Sequence, residues 1–124
     1  IGTALYNRGL YAAMLAAEAA KTAQGIHNTA ALTPAQMRDG MENLEITEEK
    51  MTALGLPGFG PSFKVSCQNH GGDGLTAVVQ WDSAAKKWNK ITDFIAPDSD
   101  VLGPLVAEDA AAYAKEAGIT PACK

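Results

Sequence analysis

Cys67 and His70 stand three positions apart with Asp73 three further on, a grouping whose residue types suit either a metal site or a base-activated thiolate. A structural zinc asks for four nitrogen or sulfur ligands. The chain offers Cys67, Cys123, His27 and His70 as its whole supply, scattered over most of its length. A catalytic cysteine needs a histidine brought to it by the fold, which adjacency in sequence does not provide. We therefore expect no metal and no catalytic residue. The better use of Cys67 is a disulfide, either with Cys123 or with a cysteine beyond this chain. Closing a loop of the Cys67 to Cys123 size is worth roughly 4 kcal/mol in the chain-entropy view.

The remaining polar groupings have plainer readings. Gly71-Gly72-Asp73-Gly74 lacks the Gly-Lys-Ser/Thr ending and the subsequent helix of a phosphate cradle, so it is a turn between strands. Glu42, Glu45, Glu48 and Glu49 are local and acidic, which fits helix starts and solvated faces better than a carboxylate pair with one buried member. Trp81 and Trp88 flank a hairpin turn as a cross-strand aromatic pair would. Lys86, Lys87 and Lys90 are too few for a nucleic-acid groove. The glycine- and proline-bearing stretch 58–61 reads equally well as a packed surface loop or as a recognition edge.

The elements that position these residues emerge from pattern. Residues 3–24 are rich in Ala, Leu, Met and Glu, and Gly25 stands where a helix stops. The polar residues of this segment are few, so its apolar surface is broader than one stripe. Thr33-Pro34-Ala35-Gln36 supplies an N-cap, a proline at the first helical position and a capping-box glutamine. That helix should reach about Asn43. A further capped start at Thr47-Glu48-Glu49 leads to a short helix ending near Gly55. Stretches 63–67, 75–81 and 87–95 are rich in Val, Thr, Ile and aromatics and read as strands, the last two a hairpin. A terminal helix is expected over 104–117, stopped by Gly118.

Length and composition set the limits. The chain has 124 residues, 47% of them hydrophobic and 19% charged, which is a globular composition with a real core. A net charge of −4 with no dense basic run argues against nucleic acid as a partner. The apolar run 9–17 is too short to cross a bilayer, and Glu18 and Lys21 interrupt the alanine-rich segment beyond it. The chain opens at Ile1 without an initiator Met or an apolar leader, so it reads as a fragment or a trimmed product whose signal peptide has been removed. Two or three strands and a broadly apolar helix leave much surface needing cover. Alone, such a piece is expected to self-associate as an intertwined dimer.

Several motifs together resemble one family. Tyr6-Asn7-Arg8-Gly9 leads into an alanine-rich helix with Glu18-Ala19, then Leu32-Thr33, Arg38 and Glu42-Asn43-Leu44. These are similar to the late part of periplasmic solute-binding proteins of ABC transporters, of the branched-chain amino acid (Leu/Ile/Val-binding) type. Lys64-Val65-Ser66-Cys67-Gln68-Asn69-His70-Gly71-Gly72, then Gln80-Trp81-Asp82 and Lys87-Trp88, resemble the penultimate segment. Pro104-Leu105-Val106, Tyr113-Ala114 and Gly118-Ile119 resemble the C-terminal helix.

The resemblance implies an α/β chain that is the C-terminal segment of a type I periplasmic-binding-protein fold. Its order would be three helices, three mostly antiparallel strands and a helix, with a helical part at 3–55, strands at 63–95 and the last helix at 104–117. It implies capture of branched-chain or related amino acids, or of small organic or aromatic acids, by two lobes closing round the ligand. A membrane permease would be the partner and no cofactor would be used. The location implied is the periplasm or a lipid-anchored extracytoplasmic site, and the activity is not enzymatic. A ligand-sensing regulatory domain of the same fold is the alternative. Tyr6, Asn7 and Arg8 are the candidate ligand-binding residues, because an aromatic face beside hydrogen-bonding groups suits an acid or amino acid. The plainer reading of the three is that Asn7 and Arg8 solvate a helix start while Tyr6 packs.

Overall fold

The computed structural model describes residues 3–120 and Cys123. In order, the elements are α1 (Ala4–His27), α2 (Pro34–Glu42), β1 (Glu45–Ile46), α3 (Glu48–Ala53), β2 (Phe63–Lys64), β3 (Val79–Asp82), β4 (Lys87–Lys90) and α4 (Ser99–Ala117). The chain divides into two compact units, Ile1–Gly72 and Asp73–Lys124.

In the first unit, local chemistry sets the helix boundaries. Thr3 caps α1 by accepting from the Tyr6 N–H. The helix runs through Gly25, expected to stop it, because one glycine costs a helix only about 1 kcal/mol. Asn28 ends it instead, in the left-handed region at φ 48° with its N–H donated to Gln24 O. The predicted capping box of α2 is present, with Thr33 Oγ1 accepting from Gln36 N and Gln36 Oε1 accepting from Thr33 N. Thr47 caps α3 in the same way, accepting from Lys50 N.

The pairing of β1 with β2 is an element that the sequence pattern does not announce. Two residues are too few to display an alternation. The strands are antiparallel, Glu45 opposite Lys64 and Ile46 opposite Phe63. Ile46 is fully buried, and with Ala19, Leu44 and Met51 it forms the core. Tyr11, Met14, Leu15, Met37, Leu56, Phe59 and Phe63 pack round that centre. Helix α1 thus supplies one wall and the residues after α2 supply the other. Two polar links fix the helices: His27 Nε2 lies 2.9 Å from Asp39 Oδ2, and the buried carboxylate of Glu18 is 2.6 Å from Lys21 Nζ and 3.5 Å from Lys50 Nζ.

In the second unit, β3 and β4 form the expected hairpin, with Trp81 opposite Trp88 and their ring centroids 5.4 Å apart. Asp82 organises the turn: its Oδ1 accepts from Ala84 N and Ala85 N, and Lys86 takes φ 50°. A single bridge joins Thr76 to Ile95, where the composition predicts longer strands. Helix α4 begins at Ser99 rather than Pro104, because Asp98 caps it by accepting from Val101 N. Pro104 then sits inside the helix at the cost of one backbone hydrogen bond. Gly118 stops α4 as predicted, at φ 65°. None of the described residues of this unit is buried, and Val101, Leu102, Leu105, Val106 and Tyr113 leave α4 with a largely exposed apolar surface.

Candidate functional site

The first turns of α1 and the loop before β2 enclose an open cleft of about 510 Å³ within the first unit. Asn7, Arg8 and Tyr11 line one side and Gly58, Phe59, Gly60 and Pro61 the other. Helical spacing explains the first group, since Asn7 and Tyr11 are four residues apart and share a face, with Arg8 beside them. Chain chemistry explains the second. Gly58 adopts φ 68°, a conformation that favours glycine, and a Cβ on Gly60 would come within 3.3 Å of the Tyr11 hydroxyl, so Gly60 lets the loop approach the helix closely.

The floor is aromatic. Tyr11 and Phe59 have ring centroids 6.0 Å apart at 31°, and Phe63 lies 6.4 Å from Tyr11 on the core side. Burial raises the Tyr11 phenol above its ordinary value, so it stays neutral. Asn7 Oδ1 is buried without a hydrogen-bond partner among the described residues. A buried acceptor left unmade costs about 1–3 kcal/mol, so this atom is a local weak point of the fold. Arg8 is exposed and carries a permanent positive charge at the same rim. The cleft therefore offers an apolar body site and one cation.

Of the three residues singled out from the sequence, the structure brings Asn7 and Arg8 into this lining. Tyr6 is on the same helix but is not part of it, and is 57% exposed. Sequence reasoning misses Tyr11 and Phe59 as cleft-lining residues. The signal for Tyr11 is its place one helical turn beyond Asn7, and for Phe59 an aromatic between two glycines in a loop.

The other groupings fall elsewhere. Both cysteines, Cys67 and Cys123, are disulfide-bonded. One carboxylate oxygen of Glu42, Cys67 Sγ and a ring nitrogen of His70 lie within 4.8 Å of one another, with His70 Nε2 3.4 Å from Glu42 Oε1. Glu45 pairs with Lys64 at 3.5 Å. Glu49 is held below the usual carboxylate value by the Thr47 hydroxyl and its own backbone N–H, so it serves the α3 terminus. A smaller hollow of about 270 Å³ lies at the end of α1, among Gln24, Asn28, Thr29 and Ala30. No described helix is long and apolar enough to cross a membrane.

Neither a protein-family model nor a curated protein matches the chain. A solved crystal structure does: it is described as an ABC transporter permease from the Pseudomonas fluorescens group, and it is 40% identical with a TM-score of 0.84 over 95% of this chain. The chain spans 28% of the length of that structure. The similarity relates these residues to a portion of a longer ABC-transporter protein.

Proposed function

We propose that the chain is the C-terminal part of an extracytoplasmic solute-binding protein that serves an ABC transporter. In this reading it belongs to a type I periplasmic-binding fold, and the complete body takes up branched-chain or related amino acids, or small organic or aromatic acids. The observation that carries the reading is the 40% identity to a protein described as an ABC transporter permease, of which this chain spans 28%. The motif resemblance beginning at Tyr6-Asn7-Arg8-Gly9 adds the solute-binding component.

Two structural features support it. The exposed apolar surface of α4 is what a segment of a larger body would carry, since a monomer rarely leaves so many large apolar side chains in water. The cleft lining, two aromatic rings with an asparagine and a guanidinium, contains no carboxylate, thiol or imidazole among the described residues. Such a lining binds a solute and lacks a proton-transfer pair for chemistry at neutral pH.

The mechanism is differential affinity. A solute touching both lobes stabilises the closed form, and the permease reads that form; moving a two-state body from 1:99 to 99:1 takes about 5.5 kcal/mol of preference for one state. Arg8 meets the carboxylate of the solute, and Tyr11 and Phe59 contact its apolar body. Calorimetry of the gene-encoded polypeptide against leucine, isoleucine, valine, phenylalanine and benzoate tests this. One-to-one binding of a member of the set is expected, weakened by Arg8→Ala. Heatless titrations throughout would reject the solute class.

A further inference from the structure

Outside the cleft, the turn after β2 gathers three ligand-type side chains. Glu42 is the last residue of α2, and the turn carrying Cys67 and His70 is braced by reciprocal backbone hydrogen bonds between Ser66 and Asn69, both 3.1 Å, and by Asn69 Nδ2 donating to Gly72 O at 3.0 Å. That bracing holds His70 Nε2 at 3.4 Å from Glu42 Oε1, with Cys67 Sγ inside the same 4.8 Å group. A zinc-like ion binds such atoms at about 2.0–2.3 Å in a tetrahedral array, which sets its ligand atoms roughly 3.3–3.8 Å apart. Side-chain rotation covers the difference from the observed spacing. One thing stands against occupancy: Cys67 is in a disulfide, so its sulfur is no thiolate.

We propose that reducing the disulfide converts Glu42, Cys67 and His70 into a site for one zinc-like divalent ion, with water completing the coordination. Two electrons and two protons from a dithiol open the S–S bond to two thiols, and the dithiol becomes a disulfide in exchange. The incoming ion then displaces the Cys67 thiol proton to solvent and binds the thiolate, the neutral imidazole and the carboxylate. The ion replaces the present contact between His70 and Glu42 with two metal bonds. Arg38, 3.8 Å from Glu42 Oε1, remains an outer partner of that carboxylate. Disulfide and metal are thus exclusive uses of one sulfur, and the site reports the redox state of its surroundings.

The test is a cobalt(II) titration monitored by the thiolate-to-cobalt charge-transfer band, run on the oxidised protein, on protein reduced with a phosphine, and on Cys67→Ser under the same reductant. One cobalt per chain is expected in the reduced protein and no band in the oxidised protein or in Cys67→Ser. His70→Ala and Glu42→Gln, each under the same reductant, should weaken binding about tenfold or more. The proposal is overturned if the oxidised protein or reduced Cys67→Ser gives the same band. It is equally overturned if the reduced protein gives none, or if the two ligand variants bind cobalt as tightly as their parent.

Discussion

Gly40 of α2 faces α1 so closely that a Cβ placed on it would lie 2.6 Å from Ala23 Cβ, and it would also collide with the Ala19 carbonyl oxygen. The two helices meet here with no side chain on the α2 side.

Gly40→Ala should therefore destabilise the protein although it improves helix propensity. The propensity gain is about 1 kcal/mol, while overpacking against a backbone atom costs about 3 kcal/mol, for a net loss of roughly 2 kcal/mol. Denaturant unfolding checks this, and an unchanged or higher midpoint would show that the helices can separate at no cost.

Glu18 makes stability depend on acid. Its carboxyl is held below the ordinary value of 4.5 by the hydrogen bond from Lys21 first and by the charges of Lys21 and Lys50, despite the opposing effect of burial. A carboxyl with a depressed folded-state pKa contributes stability that is fully present above its unfolded value and is lost as pH falls through the folded one. Melting temperature should drop below about pH 4.5, and Glu18→Gln should be less stable at neutral pH with a flatter acid limb. Parallel curves for the two proteins would remove Glu18 as the source of the acid dependence.

Asn7 offers a separation of stability from binding. Replacing an unpartnered buried acceptor by an apolar side chain of similar size removes its desolvation cost, so Asn7→Leu should stabilise the fold by about 1 kcal/mol. Because Oδ1 is closed to the cleft, the same change should leave solute binding nearly unchanged. Thermal unfolding and calorimetry on one preparation read both effects.

Thr33 is the cap of α2 and half of its capping box. Thr33→Ala should cost about 1 kcal/mol, with Thr33→Ser nearly neutral, as measured by urea unfolding.

Much of the first unit is legible in the sequence because caps are local. Thr33 with Gln36, and Thr47 with Lys50, act within one turn, so the residues that decide are close neighbours along the chain. The hairpin is legible for the same reason, as Trp81 and Trp88 oppose each other across a turn that Asp82 closes. The pairing of β1 with β2 is not, since Ile46 and Phe63 meet only through the tertiary fold. Pro104 misleads about the start of α4 because proline favours a first turn, whereas Asp98 has already capped the helix upstream. The cleft is half legible: the α1 face puts Asn7 and Arg8 together by spacing, but the arrival of Phe59 and Gly60 beside Tyr11 is a long-range contact with no sequence periodicity behind it.

The capture mechanism is tested most directly by small-angle X-ray scattering of the gene-encoded polypeptide, alone and with saturating solute from the calorimetric set. Closure of two lobes round the solute predicts a smaller radius of gyration with ligand, and Arg8→Ala should need more ligand to reach it. A radius unchanged at saturation, with binding verified in the same sample, would contradict capture by closure.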